Sequence, residues 1–512
     1  MVDINIYIIK ITVCLFPAVS LIYKIQYLTG DVVLTGIDFY LATEDPVQWN
    51  SQTIVPIGIN LAGPTYYSNE WHFVDNFRES GGSLWPSTIP RDPVDGYPVE
   101  IIDGSTTASA LILRDNKEYR TGIYTILSEG TGQLELHFDS GNHYFSSPAN
   151  YSFSVTNPTD AGIQVVISES KKYDHVRNIR VIMPGYLNSY KSSPFHPIFL
   201  NDTKDFKALR FMDFSDTNGN NMASWNDRAK PNTARENSLS VTVFPIISIK
   251  YYPKGTLFSG KYCALLTFNE SIDASAGHLA TGQQVDIIGS DASVEFMSDL
   301  GVPGTQSLNL AAWQTNIEMI SSNSFIVAFN QYWWNSKYNV TKFIPGSMKG
   351  YVQLTINHGC SLETIIDIAN TQKAAPWINI PTLADDDFVL NYARLLYNRL
   401  SPYLSIYVEY SNEVWNFIFH ANGYSSAKAN SLGLSSVAEF VALRSVQIFN
   451  LFKTVFGSSF YSRIMTVIAS QAAGSSLSDS LLAACHNSAI NPYNISIKVL
   501  AIAPYFGIGV SS

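Results

Sequence analysis

From residue 361 onward the chain alternates strand-like and helix-like segments over roughly 150 residues, a rhythm that demands parallel strands joined by crossover helices. Residues 361–370 (SLETIIDIAN) open with a Ser cap and read as a helix. Residues 376–381 (PWINIP) read as a short strand. Residues 385–400 carry acids in their first turn and place Val389, Tyr392, Ala393 and Leu396 on one face, as an amphipathic helix does. A strand at 404–413, a long helix at 435–456 and a strand at 463–469 follow. Residues 481–485 lie in a further helix, and 498–505 form a last strand. Two earlier runs, 57–61 and 208–214, have the same character. Six βα-type strands result, where a (β/α)8 barrel needs eight. The expected fold class is therefore α/β, an incomplete TIM-barrel type with about six of eight units.

Between these strands the period changes. Residues 54–85 form the first βα unit, including an amphipathic helix over 71–79 (WHFVDNFRE) that ends at Gly81-Gly82. Residues 86–180 hold short runs (ALILRD, YRTGIYTIL, GQLELHF, YSFSV, GIQVVIS) bounded by Gly, Asn, Asp and Pro, the pattern of an inserted β-sandwich. Residues 181–236 supply the second βα unit. Residues 237–355 are a second β-rich insertion, and 356–512 supply units three to six.

The chain of 512 residues is 46% apolar and 14% charged, so it is no disordered tail. Its net charge is −10 and no Lys/Arg run could track a phosphate backbone, which excludes nucleic acid as the expected partner. Tyr, Asn, Ser and Thr suit uncharged, hydroxyl-rich ligands. Residues 4–23 are apolar apart from Asn5 and Lys10, and 11–23 match a signal-peptide core. The first 25 residues are thus expected to be a signal peptide or membrane tether. Acceptor sites for N-glycosylation begin at Asn150, Asn201, Asn269, Asn339 and Asn494, in keeping with an extracellular or cell-surface location. The cysteines, Cys14, Cys263, Cys360 and Cys485, are scattered. Cys263 and Cys360 either pair or stay as buried thiols. His358 and His420 lack a ligand-spaced partner, so no metal or cofactor is expected.

The stretch YVEYSNEVWN (407–416) carries the chemistry. Strand alternation would put Glu409, Ser411 and Glu413 on one face, the lumen of a barrel, with Glu413 at the carboxyl-terminal rim. Desolvation raises a carboxyl's pKa, as a general acid near neutral pH requires. Asn412 could donate an amide hydrogen to a sugar hydroxyl, and Trp415 could offer a platform for a pyranose. The competing reading is that Glu413 caps the next helix and Asn412 makes a turn.

Glu409, Asn412 and Glu413, as E-x-x-N-E at the end of a fourth βα strand, resemble the acid/base motif of clan-A glycoside hydrolases. Gly58-Ile59-Asn60-Leu61 is similar to the first strand of cellulase-like members. Arg210 resembles the arginine those enzymes place beneath the active-site carboxylates, and Tyr505 the tyrosine that contacts their nucleophile. Segments FVDNF, VRNIRVIMPG, FHPIFL, LRFMD, PWINIP, YVEYSNEVWN and AIAPYFG look like a poorly characterised group of secreted proteins often labelled cellulose-binding or glycosyl-hydrolase-like. That likeness covers 54–235 and 356–507. It implies a retaining hydrolase of β-linked polysaccharide with Glu413 as acid/base and no cofactor. The alternatives are a non-catalytic carbohydrate-binding or adhesion scaffold and a non-functional fragment. A retaining enzyme needs a nucleophile carboxylate at the end of strand seven. No Asp or Glu follows Asp479, so the sequence is expected to be a fragment.

Other candidates have two readings each. Asp213, at the end of strand two, binds substrate or forms a turn. Trp225, in a polar loop with Asp227 and Arg228, lines the site or packs. Asp385-Asp386-Asp387 start a helix rather than hold calcium. Trp333-Trp334 are a sugar platform or core.

Overall fold

The structure, a computed structural model, describes residues 58–502 apart from 82–88, 90–91, 93–94, 103–106, 221, 232–238, 253–261, 273–285, 289–292, 299–302, 308–316, 330–337, 345–350, 358 and 473. The apolar N-terminal stretch, Trp333-Trp334 and Tyr505 lie outside the described residues. Among the described residues, no helix is long and apolar enough to cross a membrane.

Six parallel strands form one curled sheet: β1 (Gly58–Asn60), β2 (Ala208–Arg210), β3 (Ala375–Ile380), β4 (Ile406–Tyr410), β5 (Ile464–Ala469) and β6 (Val499–Ala501). Each strand pairs with its neighbours in chain order, and the E-x-x-N-E strand is the fourth. This unreversed order is what a barrel needs and a doubly wound sheet lacks.

The helices of seven or more residues between strands are α1 (Pro197–Thr203), α2 (Leu362–Gln372), α3 (Asp386–Arg399), α4 (His420–Ser431), α5 (Val437–Phe456) and α6 (Ser475–His486). The alternation of side chains decides which face each strand residue serves. Leu209, Ile378, Ile380, Ile406, Val408, Ile464 and Ile468 join Ile366, Phe388, Phe449 and Phe452 of the helices in the main core. The intervening residues Trp377, Val467, Val499 and Ala501 form a separate small cluster with Tyr407 and Met465 on the opposite, inner face. Burying each large apolar side chain contributes about 1.5–3 kcal/mol, so the outer face holds the helices to the sheet.

The three aspartates at α3 act as a helix start. Asp385 caps it, accepting from Phe388 N at 2.6 Å. Asp386 pairs with Arg444 at 2.7 Å, and Asp387 accepts from Asn391 at 2.9 Å. Asp385→Ala is expected to cost about 1 kcal/mol of stability, read as a shift in the urea midpoint. An unchanged midpoint would show the cap to be idle.

Three points differ from the expected pattern. The helix over 71–79 reduces to a 3-10 turn, Asn76–Glu79, capped by Asp75. Trp71 stands at φ +48°, and Phe73 and Asp75 bridge to Phe195 and Ile182, so the backbone is already committed to sheet-like bonding. Helix α4 was not foreseen, because its Ala/Asn/Ser/Gly-rich sequence has almost no apolar stripe. The inserted β-sandwich is not confirmed: the strands of this block are joined by their hydrogen bonds into one antiparallel sheet. Strand Gly122–Phe138 pairs along one edge with His143–Val155. On the other edge it pairs first with Arg177–Ile182 and then with Ile163–Ser170. The handover falls at Gly130 and Gly132, where an added Cβ would come within 1.9 Å of His175 O and 2.0 Å of Glu169 O. Only glycine lets these chains pass so closely.

The second insertion is built of short antiparallel sheets. Its Phe244, Leu266, Phe268 and Phe325 belong to the same apolar cluster as the outer face of the parallel sheet. Both β-rich insertions leave from the carboxyl ends of strands, after β1 and after β2, and rejoin at α1 and α2. In a barrel that is the face where ligands bind.

Candidate functional site

Arg210, Glu409, Trp377 and Asn60 meet on the inner face because register brings them there. Asn60 pairs with Arg210, Arg210 with Trp377, and Trp377 with Tyr407 across β1 to β4. Arg210 Nη2 donates to Glu409 Oε2 at 3.0 Å and Oε1 at 3.3 Å, and Nε donates to Oε2 at 3.3 Å. Trp377 Nε1 adds a donor to Oε2 at 2.7 Å, and its ring stacks on Tyr407 at 5.2 Å. Both charges are buried. A buried ion pair persists only when further hydrogen bonds complete it, and this one has them. Arg210 Nη1 also donates to Asn60 Oδ1 at 3.2 Å.

The same guanidinium fixes Asn412. Arg210 Nη2 donates to Asn412 Oδ1 at 2.9 Å, and Asn412 Nδ2 donates to Asn218 Oδ1 at 2.9 Å. Asn218 O in turn accepts from His420 Nδ1 at 3.1 Å. Burial pushes the His420 pKa down to about 4, so its ring is neutral. One amide hydrogen of Asn412 remains for another acceptor.

Glu413 is 8% exposed and stands beyond the end of β4. Asn416 Nδ2 donates to its Oε2 at 3.3 Å. The shared face expected for Glu409, Ser411 and Glu413 is corrected here. Ser411 (φ +54°) and Glu413 (φ +45°) both adopt the left-handed region, which ends the two-residue alternation after Tyr410. Glu409 and Asn412, not Glu409 and Ser411, share a partner. Ser411 is pinned from three sides: its N donates to Ile380 O at 2.9 Å, its O accepts from Asn379 Nδ2 at 2.7 Å, and its hydroxyl lies 2.8 Å from that of Thr382. Such over-determination sustains unfavourable backbone, which costs about 1–3 kcal/mol per residue.

Asp213 lies at the carboxyl end of β2, exposed, and accepts from Asn60 Nδ2 at 3.0 Å. The protein around it pushes its carboxyl above the usual range, against the pull of Asn60 and Arg210. Trp225 packs edge-on against Phe388 at 5.6 Å with the Arg228 guanidinium 4.4 Å from its ring, which is the packing alternative. Trp415 is half-buried, and its Nε1 has no hydrogen-bond partner among the described residues. Phe417, 78% exposed, is the open aromatic beside it. Sequence reasoning passed over Asn60, Asn218, Trp377 and Phe417 as site residues. Asn60 and Trp377 lay inside motifs already singled out, and the strand period could have placed them on the inner face.

Among the described residues, Asp92, Asp95 and His175 of the first insertion could meet a cation, with ligand atoms within 4.8 Å of one another. His175 Nε2 already contacts Asp95 Oδ2 at 2.8 Å, so two of the three members are joined without an ion.

No family model matches the chain, and no curated protein sequence matches it. Solved structures similar to it include a putative β-galactosidase from Bacteroides fragilis, at 9% identity and TM-score 0.12, over 74% of this chain and 57% of that one. DesR, a β-glucosidase from Streptomyces venezuelae, is similar at 9% identity and TM-score 0.13, over 55% and 50%. A ferredoxin–NADP+ reductase from Plasmodium falciparum is similar at 11% identity and TM-score 0.15, over 52% and 96%. Glycosidases recur among these neighbours, but likeness at such scores carries no argument. The sheet order and the side chains on its inner face carry it instead.

Proposed function

We propose that this chain acts on a neutral, β-linked polysaccharide at the carboxyl end of its parallel sheet, with Glu413 handing a proton to the departing glycosidic oxygen while water supplies the hydroxyl that the anomeric carbon gains in the net hydrolysis. The observation behind this reading is a buried carboxyl just past the fourth strand, next to an asparagine whose amide is fixed by Arg210. Glu409 is clamped by Arg210 and Trp377 and serves to position them. Asn412 would hold the hydroxyl beside the scissile bond with its remaining amide hydrogen. Asp213 and Phe417 would contact sugar at the rim, and Tyr505 would take the role that the resemblance implies for a tyrosine beside a strand-seven carboxylate. A polysaccharide substrate would be met outside the cell or on its surface.

The test is Glu413→Gln in the full chain, assayed on activated aryl β-glycosides. Turnover is expected to fall at least about 100-fold, the lower range for loss of a general acid/base. Equal turnover in the variant would remove Glu413 from the mechanism. Polysaccharide binding without release of reducing sugar would identify a glycan-binding scaffold in place of a hydrolase.

A further inference from the structure

Residues 211–220 leave the carboxyl end of β2 and fold back on themselves. Ser215 N donates to Phe211 O at 2.9 Å, Thr217 N to Met212 O at 3.1 Å and Gly219 N to Asp216 O at 2.9 Å. Thr217 Oγ1 also donates to Met212 O at 2.9 Å, and Asn220 Nδ2 to Ser215 O at 3.0 Å. From the start of α2, Cys360 N donates to Phe214 O at 2.6 Å. A loop whose backbone groups are paired this densely opens less readily than one facing water, so it can serve as a firm support.

Asn218 ties this loop to the turn after β4 at two points. Its Oδ1 accepts from Asn412 Nδ2 at 2.9 Å, and its backbone O accepts from His420 Nδ1, at the start of α4, at 3.1 Å. The other end of the same amide fixes the direction of the first bond. A guanidinium only donates, so Asn412 turns its Oδ1 to Arg210 and its NH2 to Asn218. Asn412 is buried and lies between the left-handed residues Ser411 and Glu413. Helix α4 grips the same turn further on, where Asn422 Nδ2 donates to Val414 O at 2.8 Å. A left-handed glutamate costs about 1–3 kcal/mol and persists only where its surroundings hold it. The backbone of Glu413, no longer strand, sets where its carboxyl points.

We propose that Asn218 is a positioning residue: through Asn412 it holds the turn at Ser411–Glu413 in its left-handed form and so aims the Glu413 carboxyl. This rests on the reading of Glu413 as proton donor and adds to it that the stretch between β2 and the second insertion acts on that donor.

Asn218→Ala removes the acceptor, and Asn218→Asp keeps it. Two readouts on the full chain test the proposal: backbone hydrogen exchange across residues 411–416, and turnover of activated aryl β-glycosides. Asn218→Ala is expected to speed exchange and to lower kcat, each about tenfold, the worth of one hydrogen bond. Asn218→Asp is expected to recover most of both. In an Asn412→Ala background Asn218→Ala is expected to add less than about twofold, because the path to Glu413 is then already cut, whereas a general loss of packing would add in full. If Glu413→Gln lowers turnover while Asn218→Ala keeps wild-type kcat, or if the two losses multiply in the double variant, the proposal is overturned. If Glu413→Gln leaves turnover unchanged, the reading of Glu413 as proton donor fails by itself and exchange decides whether the clamp exists: faster exchange in Asn218→Ala would support it, and wild-type rates would overturn it.

Discussion

Replacing Arg210 with Met is expected to destabilise the protein by about 3–5 kcal/mol, the cost of stranding one member of a buried ion pair. Glu409 would keep Trp377 Nε1 but lose all three guanidinium contacts. Asn412 Oδ1 would lose its guanidinium donor at the same time. The double variant Arg210→Met/Glu409→Leu is expected to recover most of the loss, because no charge is then left unpaired. Denaturant unfolding followed by circular dichroism reads both. A single variant within 1 kcal/mol of wild type would mean that water or a rearranged side chain compensates Glu409, and the inner face would not be a dry, ordered layer.

The second large effect is a loss of stability in mild alkali, centred on His72. This imidazole is fully buried, with Nδ1 2.5 Å from Glu79 Oε1 and Nε2 2.9 Å from Glu70 Oε2. Burial alone would lower its pKa, but the two carboxylates outweigh it and raise it from 6.5 to about 9. A pKa raised on folding gives stability that is complete below the unfolded value and fades as pH climbs through the folded one. The window therefore runs from pH 6.5 to about 9. At 1.36 kcal/mol per unit the contribution is about 3 kcal/mol. Urea midpoints are expected to fall across that window in the wild type and to lose that slope in His72→Gln. A flat wild-type profile would show that the ring is neutral in the fold. Glu70 also accepts from Ala62 N, so the cluster ties the turn after β1 to the first insertion.

Much of this was legible in the residues. The strand count and the place of YVEYSNEVWN as fourth followed from the alternation of apolar runs with capped helices, and the sheet order bears that out. Asp385 announced its helix because an N-cap is a local signal. What failed was non-local or broke a period. Two left-handed residues at 411 and 413 cannot be read from Ser and Glu, which seldom adopt that conformation. The glycines that divide strand Gly122–Phe138 between two partners look like ordinary turn residues. Glu70 lies two residues from His72 and Glu79 seven, so no single strand or helix period joins all three, and their convergence shows only in three dimensions.

The insertions have a consequence for the order of events in folding. Arg210 and Glu409 are 199 residues apart, whereas Glu409 and Trp377 are separated by 32. Each doubling of a loop adds about 0.6 kcal/mol of closure entropy, so the longer loop costs about 1.5 kcal/mol more to close. During synthesis β1 and β2 leave the ribosome long before the strands that will flank or neutralise them. A cationic side chain destined for a dry interior must wait in water until 199 further residues have been made, and the later strands become the template on which the earlier ones dock.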